Sequence, residues 1–203
     1  MRATGVDMTA RTFPLALAAL VSFGAVALAL WVGVAPIDQA QMAARWTARV
    51  GFPIFILTYS ASSLARLWPN ETTKTVLRHR RQWGLGFAFA HTVHLAALVT
   101  YLRISGDSRT VTTLIGGGGA YVMLYLMAFT SNDAAQRAMG VWWKRLHTLG
   151  IHWLWFIFTF SYFGRIFDPA RMAQGLVFFP ICVAALGLRI WAWSRARRKR
   201  VAI

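Results

Sequence analysis

Polar residues in this chain gather into short runs, separated by six stretches of nearly unbroken apolar residues at 13–34, 50–67, 84–103, 111–130, 143–164 and 173–193. Each stretch holds about 18–22 residues, and a helix of ~20 residues crosses ~30 Å of hydrocarbon at ~1.5 Å per residue. No period-two alternation and no internal repeat competes with this pattern. It predicts an all-α membrane protein with six transmembrane helices. The second stretch is the weakest, because Pro53 and the run Tyr59-Ser60-Ala61-Ser62-Ser63 lower its hydropathy. Small residues of that kind favour close helix packing in lipid. The first stretch follows Arg2 and Arg11, as a secretory signal would. It exceeds the ~7–15 apolar residues of such a signal and is expected to be a retained helix.

Composition supports the bilayer assignment: 57% of residues are hydrophobic and 14% charged, against about 25% charged in soluble domains. A net charge of +16 would suggest nucleic acid in a soluble protein. Here Lys and Arg sit at the ends of the apolar stretches, where they set topology and meet anionic headgroups of the lipid bilayer. No basic surface interleaved with aromatics is present, so nucleic acid is not expected as a partner. With the N-terminus inside, the outer connections hold six basic residues: Arg45, Arg49, Arg103, Arg109, Arg165 and Arg171. The inner segments hold 15, and Arg189 is expected to snorkel inward. The asymmetry orients the chain N-in/C-in. Residues 1–12 form a cytoplasmic N-terminus, 13–193 the transmembrane domain and 194–203 a basic cytoplasmic tail.

Chemistry-bearing motifs are sparse. The single cysteine, Cys182, allows no internal disulfide and is expected to be a packing residue. There is no CxxCH for covalent haem, and no GxGxxG or Walker sequence. No FAD or NAD(P) site is expected on this chain, so such a donor would come on another chain. None of the six carboxylates lies inside an apolar stretch, which weakens a proton-coupled transporter reading.

Four of the five histidines do lie inside such stretches: His91 and His94 in the third, His147 and His152 in the fifth. His79 sits in a basic connection. An intramembrane imidazole is a functional candidate by default, and it is a common haem iron ligand. Bundles hold cofactors with side chains from facing helices. The plainer alternative is that these imidazoles only bond across helices. His91 and His94 are about 60° apart on one helix face, and His147 and His152 about 140° apart. Counted from the inner ends, His91 and His152 are both ~10 Å deep, His94 ~15 Å and His147 ~3 Å. Trp142, Trp143, Trp153, Trp155 and several Phe crowd the fifth stretch, as an interfacial belt or a pocket lining. Gly116–Gly119 in the fourth stretch suit the close approach of a helix or a flat macrocycle.

Arg80-Arg81-Gln82-Trp83-Gly84-Leu85, Ala88-Phe89 and His94-Leu95 resemble the RRxLGL…AF…HL signature of ferric-reductase-like transmembrane domains. Thr130-Ser131, Gly140, Trp143 and Leu146-His147 resemble that family's TS…LG..W..LH segment. The branch most resembled is the haem-binding membrane subunit of the periplasmic methionine sulfoxide reductase system, and the likeness covers about 50–193. It implies haem b between the third and fifth helices, with electrons passing from a cytoplasmic-side donor to the outer face. The family's ligand positions fall on His94 and His147. A second fifth-helix His, expected about 13 residues after the first, is replaced by Phe160.

The resulting expectation is a haem b electron-transfer subunit of a bacterial-type inner membrane, carrying one haem. Its iron ligands rank His94, His147, His91, His152. A separate reductase or quinol is the donor and a periplasmic protein the acceptor. Two alternatives stand beside it: a haem-free scaffold or transport subunit that keeps the fold, and a quinone-linked cytochrome b.

Overall fold

The computed structural model describes residues 4–108 and 110–201, without the side chains of 4–11, 112 and 199–201. Arg2 and Arg109 of the charge pattern fall outside the described residues. Within them the chain forms eight helices and no strand. These are α1 (Thr4–Val32), α2 (Pro36–Leu67), α3 (Glu71–Arg78), α4 (Arg80–Ser105), α5 (Val111–Phe129), α6 (Asp133–Met139), α7 (Val141–Arg165) and α8 (Met172–Val201). The six apolar stretches correspond to α1, α2, α4, α5, α7 and α8, while α3 and α6 are short additions. Helix continues into both expected terminal segments, from Thr4 at one end and to Val201 at the other.

Among the described residues, α1, α2, α4 and α8 are long and apolar enough to cross a membrane. α5 and α6 make a fifth span only if they count as one element, bent by 104°. α7 is long, at 25 residues, but less apolar. Its Lys144, Arg145, two histidines and four tryptophans dilute the aliphatic residues.

α2 departs most from expectation. It starts at Pro36 and takes in Arg45 and Arg49, which the sequence placed in an outer connection. Hydropathy marks only the part of a helix that lipid must cover. At 32 residues, α2 spans ~48 Å, well beyond the ~30 Å of hydrocarbon. Asp38 in its first turn complements the positive end of the helix dipole.

The chain divides into two compact units. One comprises Met1–Thr58 with Arg78–Thr110, and the other Tyr59–Leu77 with Val111–Ile203. In the first unit α1 packs along α4. A Cβ at Gly86 would lie 2.8 Å from the Pro14 carbonyl oxygen, so only glycine permits this crossing. The first-unit part of α2 buries a face of small residues, Ala40, Ala43, Ala44, Thr47 and Gly51. Their three- and four-residue spacing places them in line. Phe55 of α2 meets Phe87 of α4 at 5.1 Å between ring centroids.

In the second unit α7 packs against α5, α6 and α8. Trp155 Nε1 donates to the Cys182 carbonyl at 2.9 Å, and the fully buried Cys182 is a packing residue. Gly116 and Gly119 turn toward Ile157 and Trp153 of α7, whereas Gly117 and Gly118 have nothing within 4 Å. Only half of the glycine run therefore serves the approach of a helix. The α5–α6 corner is capped by Asn132, whose side chain accepts from the Ala135 N–H at 2.8 Å. Gly140, at φ 52°, joins α6 to α7 in a conformation that side-chain-bearing residues rarely adopt.

Candidate functional site

His91 and His94 belong to the first unit, His147 and His152 to the second. In the first unit, the RR motif begins α4 and fastens it locally: Arg80 Nε donates to the Thr58 carbonyl at 3.2 Å. About three to four turns further along, His91 and His94 project from α4 with their rings 5.6 Å apart and edge to face.

Their surroundings differ. His91 is 7% exposed, lies 4.2 Å from the Phe87 ring, and rests against Gly51. A Cβ at Gly51 would sit 2.8 Å from both Cε1 and Nδ1 of His91. His94 is partly exposed, and its Nδ1 lies 3.2 Å from the hydroxyl of Thr47. Thr47 is completely buried. The sequence reading did not single out Thr47. Its signal was the small-residue face of α2, which marks a helix surface built for close packing.

In the second unit, the TS…G..W..LH residues form one hydrogen-bonded corner. Thr130 Oγ1 donates to the Leu126 carbonyl and Ser131 Oγ to the Met127 carbonyl, both at 2.6 Å. These bonds close the last turn of α5. Trp143 Nε1 donates to the Thr130 carbonyl at 2.8 Å and stacks on His147 at 3.9 Å. His147 Nδ1 lies 3.0 Å from the Trp143 carbonyl. Its Nε2 lies 3.2 Å from the Met127 carbonyl and 3.4 Å from Ser131 Oγ. Both ring nitrogens therefore face carbonyl oxygens, which only accept, and a neutral imidazole has one N–H to offer.

His152 turns to different partners, as its five-residue offset from His147 requires. Its Nδ1 is 3.2 Å from the Tyr59 hydroxyl, with the two rings edge to face at 5.6 Å. Tyr59 is also stacked on Trp155 and holds Arg189. The Arg189 guanidinium donates to the Tyr59 carbonyl at 2.7 Å and lies 4.5 Å over its ring. Arg189, expected to snorkel inward, thus meets a carbonyl and an aromatic face of the protein. Of the fifth-stretch aromatics, Tyr162 is buried and Trp143 and Trp155 are half-buried, while Trp142, Trp153, Phe156, Phe160 and Phe163 are exposed. Phe160 is 63% exposed and stacks only loosely on Phe156, at 6.0 Å.

Among the described residues, no three His, Cys, Asp or Glu side chains gather as a metal site built from protein alone would require. Iron in a haem needs only one or two protein ligands, and the histidines of α4 and α7 are donors of that kind.

The chain is similar to a protein-methionine-sulfoxide reductase heme-binding subunit, MsrQ, of Enterobacter sp. (strain 638). The two are 28% identical in an alignment covering 98% of each chain. No protein-family model and no solved structure matches the chain.

Proposed function

We propose that this chain is a haem-binding electron-transfer subunit of a bacterial inner membrane, built on a ferric-reductase-like domain of six spans oriented N-in/C-in. The observation that carries the proposal is the end-to-end likeness to a protein named as a heme-binding subunit. The donor set agrees in kind: imidazoles stand within apolar helices that hold no carboxylate in their interiors. When bound, the haem supplies a one-electron carrier, and the protein fixes its ligands and surroundings.

His94 is the first iron ligand, being partly exposed and hydrogen-bonded at Nδ1. His147 ranks second, because to ligate through Nε2 it must turn from the Met127 carbonyl. His91, closed in by Gly51 and Phe87, and His152, engaged with Tyr59, follow. We assign one haem b per chain. A separate reductase or quinol is the donor, and the acceptor is a periplasmic protein of the sulfoxide reductase type.

The test is an oxidised-minus-reduced absorption spectrum of the detergent-purified full chain, with haem quantified. A b-type spectrum at about one haem per chain is expected, with His94→Ala removing it. Unchanged haem in His94→Ala refutes the ligand assignment. A second reading, a haem-free membrane scaffold, is favoured by the exposed Phe160 where the family places a histidine, and by the carbonyl contacts of His147. It predicts colourless protein from cells supplied with haem precursor.

A further inference from the structure

We infer that Thr47 is a positioning residue for His94: its hydroxyl selects the tautomer that carries the proton on Nδ1 and leaves the lone pair on Nε2. The Thr47 hydroxyl has one proton. It lies 2.6 Å from the Ala43 carbonyl and 3.3 Å from that of Ala44. Neither carbonyl can donate, and two oxygens hold a 2.6 Å approach only with a proton between them. The proton therefore points back along α2. At 3.2 Å from His94 Nδ1, the same oxygen can only accept, so Nδ1 must carry the hydrogen.

Two features hold the arrangement. Thr47 is β-branched, and its back-bond to the carbonyl four residues earlier fixes its rotamer within the helix. Its side chain is 0% exposed, so no bulk water competes for the oxygen. The consequence for ligation rests on the haem reading above. A ligating imidazole is oriented, and made a stronger donor, by the acceptor that receives its other N–H. A hydroxyl from α2 would do that for His94. His91, one turn earlier, meets the backbone at Gly51 instead, which distinguishes two histidines on one helix face.

The experiment uses the full chain as wild type, Thr47→Ser and Thr47→Val, with ¹⁵N-labelled histidine. The His94 signals are assigned by their loss in His94→Ala. In wild-type and Thr47→Ser chains prepared without haem, the expected ¹⁵N pattern is a protonated Nδ1 and an unprotonated Nε2. In Thr47→Val that preference is lost. A protonated Nε2 in wild type overturns the inference, whether or not the chain binds haem.

In the haem-loaded protein, Thr47→Val is expected to hold haem about 10-fold more weakly and to show a higher reduction potential, with Thr47→Ser restoring both. Equal potentials and haem contents in all three chains overturn the inference. If no chain takes up haem, the proposed function fails, and the ¹⁵N pattern alone decides the role of Thr47. If Thr47→Val does not fold, the wild-type and Thr47→Ser patterns decide it.

Discussion

Replacing Gly51 by Ala tests whether His91 is a packed core residue. A Cβ there would stand 2.8 Å from two atoms of the His91 ring, where ordinary contact begins near 3.4 Å. The ring must move by about half an ångström or more, and it has little room. It is 7% exposed, with Phe87 4.2 Å away on another side. Overpacking of this kind destabilises by about 1–3 kcal/mol. The gain in helix propensity from Gly to Ala offsets about 1 kcal/mol of it.

Gly24→Ala is the control, because Gly24 lies inside α1 with nothing within 4 Å. It takes the propensity gain alone. The difference between the two variants is therefore the overpacking term. At about 2–4 °C per kcal/mol for a chain of this size, Gly51→Ala should melt at least ~2 °C below Gly24→Ala. The assay is thermal unfolding in one detergent, followed by far-UV circular dichroism. Equal melting temperatures would mean that His91 gives way freely, and the argument for its confinement would fail.

Two further changes probe the second unit. Arg189→Met removes a charge-assisted bond to the Tyr59 carbonyl and a cation held over the Tyr59 ring, and is expected to destabilise the chain by about 2 kcal/mol. A snorkelling arginine would instead tolerate Met, so an unchanged or raised melting temperature refutes its placement on Tyr59. Gly140→Ala forces a side chain into φ 52° at the α6–α7 junction and should lower stability by about 1–2 kcal/mol. Gly164→Ala, with nothing within 4 Å and no positive φ, should not, and equal effects would remove the conformational argument for Gly140.

Apolar stretches were enough to locate the long helices, since lipid must be met by side chains whose run length the sequence displays directly. They could not locate the start of α2. Residues 36–49 include Asp38, Gln39, Gln41, Arg45 and Arg49, and hydropathy discards a helix that is polar on part of its circumference. The information lay in the spacing of Ala40, Ala43, Ala44, Thr47 and Gly51, a pattern of helix packing rather than of lipid exposure. The α5–α6 corner was likewise written locally, in Asn132 as an N-cap. It falls at the end of an apolar block, where a window average does not resolve a bend.

For the candidate site, the sequence alone placed four histidines on two long helices, α4 and α7. Periodicity also separated His147 from His152, because a five-residue offset on a 3.6-residue helix cannot place two side chains on one face. It could not separate His91 from His94, which share a face of α4. Only the tertiary structure decided that one imidazole is enclosed by Gly51 and Phe87 while the other meets a buried hydroxyl. The residue that makes the difference, Thr47, is 47 positions away along the chain. A tautomer is chosen by the atom opposite the ring nitrogen, and that atom is supplied by packing.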